Sequence, residues 1–142
     1  MIKQAIIPLA GLGTRLLPLT SVIPKELLPI NGKPNIEYIM EECIEAGINQ
    51  FIFIISKKKE NIKKYFFNDS FYKKIIKKGN NKRIKAEFKR LKKYQKMIKF
   101  VYQNKPKGTG DAILKCKKLI QDNFFMILLP DDLIINKNCT KE

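Results

Sequence analysis

Two hydrophobic periodicities alternate along the chain, and each change between them predicts an element boundary. Ile2 to Ile7 is apolar except at Lys3 and Gln4, and Phe51 to Ile55 is apolar at every position. Such runs suit strands covered on both faces. Strands are expected at 2–7, 51–56, 98–103 and 124–129. Between the first two, Ile36, Ile39, Met40, Cys43 and Ile44 recur at helical spacing. Pro34 suits the first helical position and Gly47 the residue after the last, so a helix is expected over 34–46. Phe71, Ile75 and Ile76, then Ile84, Phe88 and Leu91, repeat the helical spacing in a lysine-rich segment over 57–97, with a turn at Gly79-Asn80-Asn81. Ala112, Ile113, Cys116, Leu119 and Ile120 mark one more helix within a loop-and-helix segment over 106–120.

Strands alternating with helices imply an α/β fold: a parallel, Rossmann-like sheet with flanking helices and right-handed crossovers. In such sheets ligands sit beyond the carboxyl ends of the strands, where Gly11, Gln103 and Asp131 are expected to arrive. A chain of 142 residues with 44% hydrophobic content suffices for one compact domain.

The net charge of +16 would ordinarily suggest nucleic acid or an anionic membrane surface. The lysines of 57–97 also interleave with Tyr65, Phe66, Phe67, Phe71, Tyr72 and Phe88, a pattern that can build a single-strand groove. A lysine-rich nucleic-acid-binding module is therefore the rival reading from another class. Against it, arginine occurs only at Arg15, Arg83 and Arg90, whereas phosphate backbones are usually gripped by arginine as well as lysine. The excess of Lys, Ile, Asn and Phe, without Trp or His, is what an A+T-rich coding sequence produces. An amphipathic helical excursion with its lysines on the wet side accounts for the segment, so no nucleic-acid partner is expected. Cys43, Cys116 and Cys139 have neither disulfide nor zinc spacing, which points to a reducing cytoplasmic setting. No apolar run is long enough to span a membrane, and Met1-Ile-Lys-Gln leads straight into a strand rather than a signal peptide.

Chemistry concentrates after the first strand. Gly11 and Gly13 allow backbone N–H groups to approach phosphate oxygens closely; Arg15 adds a fork of donors, and Lys25 a compact mobile charge. The third glycine of a dinucleotide fold is replaced by Leu16, and no Gly-Lys-Ser/Thr follows, so neither familiar phosphate loop is present. After the third strand, Gln103 offers both an amide donor and a carbonyl acceptor, which suits the imide edge of uracil. The backbone around Gly108 can supply an N–H to a pyrimidine carbonyl. The last strand ends in Pro130-Asp131-Asp132. A strand-end carboxylate facing a phosphate site is a natural Mg²⁺ ligand, and alternation along a strand turns Asp132 elsewhere.

The segments Gly11-Leu-Gly13-Thr14-Arg15-Leu-Leu-Pro18 and Pro24-Lys25-Glu26-Leu-Leu-Pro29 closely resemble the signature of the sugar-1-phosphate nucleotidyltransferases. Glu26 after Lys25, the segment from Tyr38 to Ile48 and the lysine-rich insertion resemble the bacterial UTP–glucose-1-phosphate uridylyltransferase branch. The resemblance runs over nearly the whole chain, weakest between 57 and 97. It implies transfer of a uridylyl group from UTP to glucose 1-phosphate, giving UDP-glucose and pyrophosphate. It implies Arg15 and Lys25 as catalytic residues and Ala10, Gly11, Gly13, Thr14, Glu26, Gln103 and Gly108 as nucleotide-binding residues. Asp131 is the implied Mg²⁺ ligand, and a homo-oligomer the implied assembly. Thymidylyl, cytidylyl or adenylyl transfer by the same family is the near alternative. One departure is Asp111, where many members carry His; a first-turn acidic residue also suits the helix dipole. The family normally continues for about as long again, with sugar-binding loops and a second metal-binding Asp. The expectation is thus of an N-terminal nucleotide-binding part over 1–142, truncated after the fourth main strand and inactive alone.

Overall fold

The computed structural model describes residues 1–79 and 81–130. Strands β1 (Gln4–Pro8), β4 (Gln50–Ile55), β5 (Ile98–Tyr102) and β6 (Met126–Ile127) form one parallel sheet in the order β5-β4-β1-β6. The short strands β2 (Pro29–Ile30) and β3 (Lys33–Pro34) pair separately and antiparallel. Registers run Ala5 opposite Phe51 opposite Ile98, and Ala5 opposite Met126.

The apolar runs behave as strands covered on both faces. Ala5, Ile7, Phe51, Phe53 and Ile55 point to one side. There they meet helices α1 (Asn35–Glu45), α2 (Glu60–Phe67) and α4 (Lys82–Gln95) through Ile36, Met40, Phe66 and Leu91. Ile6, Ile52 and Ile54 point to the other side and meet Ala112 of α5 (Thr109–Lys115) and Cys116, the residue that caps it. The remaining helix, α3 (Asp69–Lys78), packs on α4, with Tyr72 stacked on Phe88 at 5.4 Å between ring centroids. The helical excursion over 57–97 is thus present, and its aromatics turn inward: Phe66 is fully buried against Phe53 and Tyr94. Phe71, 54% exposed, is the main exception.

Several expected boundaries shift, each for a visible reason. The first strand starts at Gln4 rather than residue 2. Gln4 is polar yet buried because its amide donates to Gln50 Oε1 and the Leu119 carbonyl, while its Oε1 accepts from the amides of Gln121 and Asp122. Pro34 caps α1 from outside instead of opening it. At the far end the prediction holds: Gly47 has φ +94°, its N–H donates to the Ile44 carbonyl, and Ile48 N–H reaches Cys43 O. That is the Schellman arrangement, closed by burial of Ile48. Just before α1, Asn31 and Gly32 both take positive φ and close the β2–β3 hairpin, as a tight primed turn requires. The last strand spans two residues rather than six. Among the described residues it pairs with β1 alone, and Phe124 and Leu129 beside it are exposed.

Glu37 is the unexpected member of the α1 stripe, fully buried among the apolar residues. It accepts from Arg90 of α4 and from the Tyr65 hydroxyl of α2, tying the lysine-rich segment to the core. Burial and the neighbouring Glu37 carboxylate hold the Tyr65 hydroxyl well above the usual phenol range.

Candidate nucleotide site

The carboxyl ends of β1, β4 and β5 open on a cleft of about 600 Å³. It is reached by the turn after β1 (Ala10, Gly11, Leu12), the residues after β4 (Ser56, Lys57, Lys58) and the turn after β5 (Gln103, Asn104, Gly108). Lys25 and Glu26 complete the wall. A second cleft of about 570 Å³ is lined by Gly13, Thr14, Arg15, Leu28 and Asn35. Lys25 and Pro130 belong to both clefts, so the two meet there.

The turn between the clefts is built on Gly13. Its φ of +66° is the left-handed region, and a Cβ there would stand 3.2 Å from Thr20 Cγ2 and 3.6 Å from Lys25 Cδ. Glycine therefore serves both the backbone conformation and the close approach. Thr20 Oγ1 donates to the Gly13 carbonyl at 2.8 Å, locking the turn from below. The amides of Leu16 and Leu17 close on Gly13 O and Thr14 O, a single helical turn that leaves Arg15 exposed.

Lys25 to Leu27 make another such turn, and Glu26 points inward from it with 1% side-chain exposure. Lys59 Nζ donates to both Glu26 oxygens, at 2.7 and 2.8 Å, from the segment after β4. Lys57 N–H donates to Asn104 Oδ1, joining the β4 and β5 ends. Lys25, Lys57 and Lys58 thus bring positive charge to a cleft whose carboxylate, Glu26, is already neutralised by Lys59. A polyphosphate suits that balance.

Gln103 is buried at the floor of the first cleft, its N–H donating to the Ile55 carbonyl. Its side-chain amide donates to the Gly108 carbonyl at 3.1 Å and to Asp111 Oδ2 at 2.8 Å. Gly108 has φ +88°, which turns the chain sharply into α5. Each cleft also contains a buried side-chain oxygen that has no partner among the described residues: Ser56 Oγ in the first and Asn35 Oδ1 in the second. The Asn35 amide is held by the Pro130 carbonyl at 3.1 Å. Such orphaned acceptors cost free energy unless a ligand or water meets them.

Ala10, Gly11, Lys25, Glu26, Gln103 and Gly108 therefore line the first cleft, and Gly13, Thr14, Arg15 and again Lys25 the second. Asp131 lies outside the described residues. Among the described residues there is no group of three His, Cys, Asp or Glu side chains able to hold a metal ion. Also among them, no helix is long and apolar enough to cross a membrane. Sequence reasoning did not single out Ser56, Lys57, Lys58, Asn104 or Asn35 as site residues. The first three directly follow a strand aimed at the cleft, so the strand-end rule applied to β4 would have found them.

A family model described as nucleotidyl transferase matches residues 4–141. The UTP–glucose-1-phosphate uridylyltransferase of Mycoplasma pneumoniae is 40% identical over 136 residues, covering 96% of this chain and 46% of the relative. The enzyme of the same name from Bacillus subtilis is 39% identical over 136 residues, covering 94% and 45%. Among solved structures, a UDP-glucose pyrophosphorylase complexed with UDP-glucose superposes with a TM-score of 0.75 at 33% identity, covering 99% of this chain and 51% of that one. A UTP-bound UGPase from Acinetobacter baumannii gives 0.74 at 35% identity, covering 92% and 46%. The chain spans about half the length of the curated relatives it matches. It belongs to the nucleotidyl transferase family.

Proposed function

We propose that this chain carries the UTP-binding part of a UTP–glucose-1-phosphate uridylyltransferase. The observation that supports this most is the junction of the two clefts at Lys25, with Gln103 and Gly108 in one and Gly13, Thr14 and Arg15 in the other. A nucleoside triphosphate has the same layout, a base at one end and a charged tail at the other. The uracil edge is assigned to Gln103 and the Gly108 turn, and the sugar and α-phosphate to the wall formed by Ala10, Gly11 and Lys25. The β- and γ-phosphates are assigned to the Gly13-Thr14-Arg15 turn. Glu26, in the same wall with its carboxylate held by Lys59, is assigned to the nucleotide site through the turn it shares with Lys25.

In the proposed reaction a phosphate oxygen of glucose 1-phosphate attacks the α-phosphorus of UTP in line. The new P–O bond forms as the bond to the α,β-bridging oxygen breaks, and pyrophosphate leaves with that electron pair. Little covalent chemistry is asked of the protein. Lys25 would neutralise charge at the α-phosphate and Arg15 at the departing pyrophosphate, and both are held by turns already closed without ligand. Asp131, which follows Pro130 at the cleft junction, is the proposed Mg²⁺ ligand; the ion, when bound, would neutralise further phosphate charge. A cytoplasmic setting fits the spacing of Cys43, Cys116 and Cys139, which suits neither a disulfide framework nor a zinc site.

Calorimetric titration with UTP in Mg²⁺ tests the reading. The wild-type chain should bind UTP in preference to ATP, with affinity falling about tenfold or more in R15A and K25A, the effect of removing one charge-assisted contact. Unchanged UTP affinity in both variants would sink the assignment.

A further inference from the structure

Gln103 is chemically ambiguous as a base reader, because one side-chain amide carries a donor and an acceptor and can turn either toward a ligand. The surroundings remove that ambiguity. Both Nε2 protons are committed inside the protein, one to the Gly108 carbonyl and the other to Asp111 Oδ2. Reversing the amide would place Gln103 Oε1 against a carbonyl oxygen and a carboxylate oxygen together, a contact of like partial charges. Among the described residues Oε1 accepts no hydrogen bond, and Gln103 lines the first cleft. What the cleft meets is therefore an acceptor.

We propose that Asp111 is a positioning residue for base selection: it holds the Gln103 amide so that Oε1 faces the base and selects pyrimidines carrying a ring N3–H. Uracil and thymine have that proton. Cytosine presents a bare N3 lone pair at the same place, and its 4-amino group would face the backbone N–H that the Gly108 turn offers to a carbonyl. The inference rests on the base lying at Gln103, as under the proposed function. Gly108 by itself cannot supply the effect in full, since its carbonyl also accepts the Ala112 amide at 3.3 Å. Nor is a favourable charge at the start of α5 a sufficient account of Asp111, because its carboxylate is aimed at Gln103.

Dissociation constants for UTP, dTTP and CTP, measured by calorimetry on the wild-type chain and on D111A, D111N and Q103A, test the proposal. The wild type should prefer UTP over CTP by about tenfold or more, one correctly paired hydrogen bond against one orphaned pair of acceptors. In D111A the preference should shrink by about fivefold or more while ligand-free thermal stability changes little. In D111N it should survive to within about twofold, because the asparagine Oδ1 still accepts from Nε2. dTTP, which has the same imide, should follow UTP throughout. A D111A variant that keeps the wild-type ratio overturns the proposal, as does a D111N variant that falls as far as D111A, since charge rather than hydrogen bonding would then be responsible. Should D111A not fold, the wild type still decides: both Gln103 Nε2 proton resonances should stay near their ligand-free positions when UTP binds, and a large displacement refutes the held amide. A wild type without base preference, together with Q103A binding UTP normally, would instead show that the base lies elsewhere.

Discussion

The buried pair Glu26–Lys59 offers the sharpest test of how the site is held. Its side chains are 1% and 7% exposed, and both carboxylate oxygens lie within 2.8 Å of Lys59 Nζ. Replacing either member by methionine keeps the length of the side chain and strands the other charge in an interior wall. Breaking such a pair costs about 3–5 kcal/mol, whereas replacing both partners by apolar groups is often close to neutral. Against the roughly 5–15 kcal/mol that stabilises a typical domain, either single change is severe. E26M and K59M should therefore each lose about 3–5 kcal/mol in urea denaturation followed by circular dichroism. The double variant should recover most of that loss, giving a large coupling energy in the cycle. Because the pair is shielded from solvent, raising the salt to about 1 M should change the coupling little. The site adds a second readout. Glu26 shares its turn with Lys25, so the single variants should also weaken UTP binding, and the double variant should regain stability more completely than affinity. Additive losses in the double variant, or single variants within about 1 kcal/mol of wild type, would show that the pair is solvated and the reasoning wrong.

Two further outcomes follow from the same geometry. G13A should lose about 1–2 kcal/mol in stability, from left-handed strain and from the Cβ pressed against Thr20, with weaker UTP binding alongside; G13N, which tolerates that conformation better, should lose less. Burial pushes the Cys116 thiol up to about 11, so the folded chain keeps it protonated where an unfolded chain would ionise it. Its contribution is present in full below the unfolded value near 9 and is lost as pH rises toward about 11, on the order of 2 kcal/mol. The stability difference between wild type and C116A should shrink across that window, and a difference independent of pH would contradict the assignment.

Elements were readable in the sequence where burial acts on every residue of a run. Phe51 to Ile55 has no polar position to offer solvent, so only a strand covered on both sides accommodates it, and β4 lies between β1 and β5. Gly47 was readable for a related reason: a helix end must satisfy its last carbonyls, and a residue free to take φ +94° does so cheaply. The β2–β3 hairpin was not read, although Asn31-Gly32 is a strong turn pair, because strands of two residues show no alternation. The site divides along the same line. Residue types whose own chemistry suits a phosphate or a base, such as Arg15, Lys25 and Gln103, stood out by motif. Those that act through a partner did not. Lys59 lies in a run of lysines whose members look alike, and only the approach of the β4 end to the turn at Lys25 sets it apart from Lys57 and Lys58. Asp111 looked like a helix-dipole residue because its true partner lies across the Gly108 turn, at a distance that a one-dimensional pattern does not encode. Its neighbour relation was nonetheless constrained. Gln103 ends β5 and Asp111 sits in the first turn of α5, and the positive φ of Gly108 folds the connection back on itself. A buried amide at the end of a strand must find two acceptors, and this turn places one carbonyl and one carboxylate where it can. On the reading proposed above, the departure at position 111 belongs to the base site and is not a decoration of the helix, and the UTP-to-CTP ratio of D111A is where that difference becomes measurable.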